Sequence, residues 1–184
     1  MKKLIFSSLF FVILFSACSE LPTEGDQLIG IESSQQQFQP LAIGDAGNIS
    51  LEKRRLLAIE KIDGSEGGEL EGEATFKTGN GDIELSTKLI FSPGAFKGDE
   101  VIRYWVDASE ASFIFKPSMD FNVPAIFSAK ISNMNVSDSD KIYFVYVGRN
   151  GFELVDGAEV KVKDGEISIT GVKLNHFSRY AFVK

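Results

Sequence analysis

The sequence predicts an all-β fold, an antiparallel β-sandwich preceded by a signal peptide and a flexible tether. Three observations carry this. Short runs of alternating apolar and polar residues follow one another from about Leu56 to the end. Asn-Gly, Asp-Gly and Pro-Gly pairs separate those runs. No window beyond residue 60 keeps a helical spacing of apolar residues. Alternation places every second side chain on one face, and Asn-Gly or Asp-Gly between alternating runs is the strongest short hairpin signal.

In chain order, Leu51–Leu57 contains helix-favouring Glu52, Lys53, Arg54 and Arg55, but a strand starting near Leu56 is preferred. Ile59 and Ile62 lead into Asp63-Gly64 and Gly67-Gly68. Thr75–Lys77 and Ile83–Phe91 flank Gly79-Asn80-Gly81, and Pro93-Gly94 marks the next turn. Val101–Val106, Ala111–Phe115 and Ile126–Ile131 are further runs. Lys141–Val147 turns at Asn150-Gly151 into Phe152–Val155. Val160 and Val162 alternate with Lys161 and Lys163, then Asp164-Gly165 leads into Ile167 and Ile169. Short strands at this spacing suit a sandwich with one face of each sheet in the core and the other in water. Phe113, Phe115 and the alternate members of Ile142, Phe144 and Tyr146 are expected in the core.

The start of the chain has a different character. Lys2 and Lys3 precede an apolar run from Leu4 to Phe15, followed by Ser16, Ala17 and Cys18. A basic start, a short apolar stretch and small residues describe a secretory signal, too short to span a bilayer. The segment resembles a bacterial lipoprotein signal, with Phe15 where the usual motif has Leu. That resemblance implies removal of residues 1–17 and lipidation of Cys18. The three acyl chains it implies would anchor the chain stably, since one chain alone gives only marginal binding. Ser19 stands where Asp retains many such proteins in an inner membrane, so an outer membrane is favoured in a cell with two. Cys18 is the single cysteine, so no internal disulfide can form.

Residues 18–55 are read as the lipidated N-terminus and linker, with Pro22, Gly25, the Ser33–Gln37 run and Pro40 as punctuation. Residues 56–184 are read as one folded domain. The 184-residue chain has a formal net charge of −7, and removal of Lys2 and Lys3 makes the acidic excess larger. That balance argues against nucleic acid as a partner and against adhesion to anionic lipid by charge. Membrane association is expected through the anchor on Cys18.

Four pieces of the domain resemble the ZU5-like family of β-sandwich modules: Gly67-Gly68-Glu69-Leu70, Leu89–Phe96 with its Ser92-Pro93-Gly94, Phe113–Pro117 followed by Pro124-Ala125-Ile126, and His176-Phe177-Ser178-Arg179-Tyr180. The resemblance implies interaction or scaffold roles, and self-cleavage in some members. By that analogy Ser178 would attack the Phe177 carbonyl with help from His176, the chain's one histidine. A cut there is expected to free only seven residues. The structural role, with His176 in a loop and Phe177 and Tyr180 packing a strand, is therefore preferred.

Other candidates are weaker. Glu69, Glu71 and Glu73 share one strand face and could hold Ca²⁺, as could Asp138 and Asp140 in a loop. A solvated acidic face and a polar turn are the preferred readings, so no metal and no cofactor is expected. Of the adjacent Tyr104 and Trp105, one must face outward. With Phe121 they are the candidates for stacking on a sugar or anchoring a protein. A glycan-active enzyme would need two carboxylates across a cleft, and nothing singles out such a pair. The expected function is a lipid-anchored envelope protein presenting a non-catalytic binding or structural module. The other readings are self-cleavage between Phe177 and Ser178, and a glycan-active or calcium-stabilised surface protein.

Overall fold

The computed structural model describes residues 38–44 and 54–184. The signal segment, Cys18, most of the linker and the Leu51–Lys53 part of the helix-or-strand stretch lie outside the described residues. The described residues form eleven strands: β1 (Arg54–Asp63), β2 (Gly68–Thr78), β3 (Gly81–Phe91), β4 (Asp99–Asp107), β5 (Ser112–Lys116), β6 (Asp120–Ser132), β7 (Tyr143–Gly148), β8 (Gly151–Leu154), β9 (Lys161–Lys163), β10 (Glu166–His176) and β11 (Arg179–Val183). They form two antiparallel sheets, ordered β1-β4-β5-β11-β7-β8 and β2-β3-β6-β10-β9. The fold is all-β, as the alternation requires. No helix among the described residues is long and apolar enough to cross a membrane.

Every strand but β8 gives inward positions to one shared core. On β3 these are Ile83, Leu85, Leu89 and Phe91, and on β6 Ala125, Phe127, Ala129 and Ile131. The six-stranded sheet answers with Ile102, Tyr104 and Val106 from β4, Phe113 and Phe115 from β5, Phe144 from β7 and Phe182 from β11. Tyr146 is only partly buried against them. The aromatic rings meet edge-on or offset, as ring quadrupoles favour. Phe113 meets Phe127 at 5.1 Å and 66°, and Phe115 stacks on Phe177 at 5.1 Å and 15°.

The turn chemistry is as the sequence implies. Asp164 (φ 51°) and Gly165 (φ 74°) join β9 to β10 with both residues left-handed, as a two-residue hairpin turn demands. Gly72 serves close approach instead. A Cβ there would lie 2.7 Å from the Tyr104 hydroxyl, 2.8 Å from Leu57 Cβ and 2.9 Å from Thr87 Oγ1. The missing side chain leaves room for a buried polar link between the sheets. Thr87 Oγ1 donates to the Gly72 carbonyl at 2.9 Å and lies 2.9 Å from the Tyr104 hydroxyl. Among the described residues no buried side-chain nitrogen or oxygen lacks a partner.

Residues 38–44 fall within the stretch read as linker, yet they belong to the folded unit. Gln39 and Lys184 exchange backbone hydrogen bonds at 2.9 Å, and Leu41 N–H donates to the Phe182 carbonyl at 3.1 Å. Ile43 is buried in the main core, and its N–H donates to the Ala108 carbonyl. The physical reason is an edge: beyond the end of β5, Val183 has no neighbour on that side, and Pro40 bridges to it. Phe38 packs edge-on to Tyr143 (5.6 Å) and Phe152 (6.3 Å). These three join Val147, Val145, Ala181 and Val183 in a second, smaller apolar cluster.

Candidate functional site

The β10–β11 turn carries the sharpest sequence candidate. His176 ends β10, opposite Asp120 of β6, and Phe177 is inserted into the core. The main chain here is pinned on both sides. Phe177 N–H donates to the Met119 carbonyl at 2.7 Å, and Phe115 N–H donates to the Ser178 carbonyl at 2.9 Å. Ser118 Oγ donates to the Phe177 carbonyl at 3.3 Å. The imidazole of His176 sits edge-on to Tyr146 at 5.0 Å and faces Tyr180 at 6.0 Å. Tyr180 donates its hydroxyl to the His176 carbonyl at 2.9 Å, and His176 Nδ1 lies 3.4 Å from that hydroxyl oxygen. Ser118, Asp120, Tyr146, His176 and Ser178 thus rim a shallow depression of about 320 Å³. The left-handed non-glycine residues among those described are Ala111, Asn133 and Asp164, none at this bond. The turn is built for anchorage: it ties β6, β10 and β11 around Phe177.

Burial raises the Tyr180 hydroxyl far above its ordinary range, and the nearness of Tyr146 adds to this. Burial also raises Tyr104, against the lowering effect of its bond to Thr87. The unfolded chain releases tyrosine protons near pH 10, about the free value. The folded chain holds these two longer. Their stabilising contribution is therefore whole below about pH 10 and is lost as pH rises through that value toward the folded ones. Urea midpoints are expected to fall as pH rises from about 10 to about 12, and Tyr180→Phe to lessen the fall. A midpoint indifferent to pH over that window would contradict the burial of the two hydroxyls.

The three aromatic candidates separate. Tyr104 is fully buried, so it cannot touch a partner. Phe121 is half-buried, with its ring 4.8 Å from Phe177 and 5.7 Å from Phe91, and it serves the core. Trp105 alone of the three points outward from the six-stranded sheet, between Leu56 of β1 and Ile114 of β5. The alternation correctly required one of Tyr104 and Trp105 to face out; burial decides which.

Most of the acidic candidates are engaged by protein partners. Glu69, Glu71 and Glu73 do share the outward face of β2. Lys88 of β3 lies 2.9 Å from Glu69 Oε2 and 3.0 Å from Glu71 Oε1, and these bonds raise its pKa. Asp138 accepts from Asp164 N–H at 2.8 Å. Asp140 accepts from Ser137 N–H at 3.0 Å and pairs with Lys184 at 2.7 Å. Lys184, foremost, holds the Asp140 carboxyl below its ordinary range. Among the described residues no group of three or more His, Cys, Asp and Glu is placed to hold a metal.

One further depression was not legible beforehand. It lies on the outward face of the five-stranded sheet and measures about 450 Å³. Its floor is made of hydroxyl-bearing residues, Ser86, Ser128, Ser168 and Thr170, and its walls of Glu71, Glu73, Lys88, Lys130 and Glu166. Lys130 pairs with Glu166 at 2.5 Å across β6 and β10. Small polar side chains on neighbouring strands leave a trough between longer charged ones. The signal was present as Ser86, Ser128 and Ser168, each two residues from a charged one (Lys88, Lys130 and Glu166), but strand order was needed to bring them together. No protein-family model, curated protein or solved structure matches this chain.

Proposed function

We propose that this chain is a lipid-anchored cell-envelope protein, held by acyl chains on Cys18, that presents a non-catalytic ZU5-like β-sandwich for binding or assembly. The observation that carries the reading is Cys18 directly after the Leu4–Phe15 run and Ser16-Ala17. An outer membrane is the favoured location. The domain is supported by a filled core, and the trough and the depression beside His176 open to solvent. The hydroxyl-floored trough on the five-stranded sheet offers hydrogen bonds and fixed ion pairs, which suits a glycan or a polar segment of a protein. It offers nothing that suits nucleic acid, given the acidic balance of the chain.

Self-cleavage between Phe177 and Ser178 is the competing reading. The residues beyond that bond form β11, hydrogen-bonded to β5 and β7 on its two sides. A cut would leave the strand in place rather than release it, so the turn is better explained as structure. Membrane fractionation of the native chain and of Cys18→Ala tests the proposal. The native chain is expected in the detergent phase and the variant unprocessed or in the aqueous phase. Identical partitioning of both would overturn the anchor.

A further inference from the structure

The outward faces of the two sheets differ in chemistry. That of the five-stranded sheet is polar around the trough, with exposed Ile90, in register with Ile126, toward one end. That of the six-stranded sheet, at its β1–β4–β5 end, is apolar with added positive charge. Leu56 (46% exposed) and Ile59 (57%) of β1 and Val101 (43%) of β4 lie there beside half-buried Trp105. Arg103 of β4 and Lys116 of β5 are exposed, face outward and sit opposite each other in register. Of the acidic groups on this face, Asp99 is matched by Lys61, Asp107 by Arg54 and Glu110 by Arg179, while Asp63, in register with Asp99, accepts from Ser65 instead. Arg103 and Lys116 outnumber the one acidic group without a cation, Asp63, so this face keeps a small positive surplus in a chain that is acidic overall. Clustered exposed aliphatics mark an interaction surface. A tryptophan among them with basic neighbours is the composition of a membrane interface, where anionic headgroups meet Lys and Arg and the indole sits at headgroup depth.

The chain's own path points the same way. Phe38, which packs on Tyr143 and Phe152, lies on this same outward side of the six-stranded sheet. Cys18 lies twenty residues before it, a stretch that spans at most about 70 Å even fully extended. An anchored chain therefore meets the domain on its apolar side and holds that side at high local concentration near lipid, where weak affinity suffices.

We infer that the Leu56–Ile59–Val101–Trp105 face, with Arg103 and Lys116, docks on the surface of an anionic bilayer and turns the polar trough away from it. This rests on the anchored reading of Cys18, and one experiment separates the two. The native chain, purified from membranes, is mixed with vesicles of phosphatidylethanolamine and phosphatidylglycerol, with and without brominated acyl chains. Flotation reads the anchor. Emission of Trp105, the chain's single tryptophan, reads the docking. Docking predicts a blue shift and bromine quenching, both lost in Leu56→Glu/Ile59→Glu and weakened in Arg103→Glu/Lys116→Glu, with flotation retained. A chain that floats but keeps unquenched, water-like emission overturns the docking and leaves the anchor standing. Emission shielded from aqueous quenchers yet untouched by bromine would mean a protein covers the face, and it overturns the docking too. A chain that does not float and is not quenched overturns both.

Discussion

A chain ended at Phe177 is expected not to fold. The residues removed include Tyr180, Ala181, Phe182 and Val183, all 3% exposed or less. They form β11, which lies between β5 and β7 in the six-stranded sheet. Burial of one large apolar side chain contributes about 1.5–3 kcal/mol, so the lost side chains alone remove several kcal/mol. The backbone loss adds to this, because β5 and β7 would face each other across a gap with unpaired N–H and C=O groups. Phe113 and Phe144 would also lose their ring contacts with Phe182 at 6.1 and 5.2 Å. Set against a typical total of about 5–15 kcal/mol, the sum is enough to abolish the native state. Near-ultraviolet circular dichroism should be lost, and urea should produce no cooperative transition. A truncated chain with a sharp transition would mean that β11 is dispensable. A chain nicked at Phe177–Ser178 with both pieces present should, in contrast, stay folded, because every contact of β11 survives a broken peptide bond.

The largest expected single-residue effect is at Phe115. Its ring is fully buried and touches both sheets: Tyr104 at 5.3 Å, Phe177 at 5.1 Å, Phe127 at 5.3 Å and Tyr180 at 6.0 Å. Phe115→Ala opens a cavity among rigid aromatic neighbours that collapse poorly into it. The expected cost is about 3–5 kcal/mol, read as a lower urea midpoint at unchanged slope. Phe152→Ala is the matched control, since Phe152 is only half-buried, outside the main core. A Phe115→Ala loss no larger than that of Phe152→Ala would contradict the placement of the core.

Much of this architecture was legible in the sequence, because period-two alternation and hairpin pairs are local signals. The two-residue turn at Asp164-Gly165 and the inward Phe113 and Phe115 needed nothing else. β2 was harder to bound. Its inward positions are Leu70, Gly72, Ala74 and Phe76, and the small pair at its centre weakens the apolar pattern although it faces the core. The docked segment around Pro40 and Ile43 could not be foreseen, since it is held by the open end of Val183, a vacancy created by strand order. Site residues divide the same way. Alternation showed that one of Tyr104 and Trp105 faces out, but only cross-strand partners could sink Tyr104 onto Thr87. Phe121 looked presentable in a short polar stretch and is instead drawn to Phe177. The trough of serines spans four strands of one sheet, three of them far apart in sequence, so no local pattern announces it.

The anchor is tested most directly by the intact mass of the native chain extracted from envelope membranes. The account predicts a polypeptide that starts at Cys18 and carries the added mass of a thioether-linked diacylglyceryl group and an amide-linked acyl chain. A chain cut elsewhere, or one that starts at residue 18 with a free thiol, would contradict it.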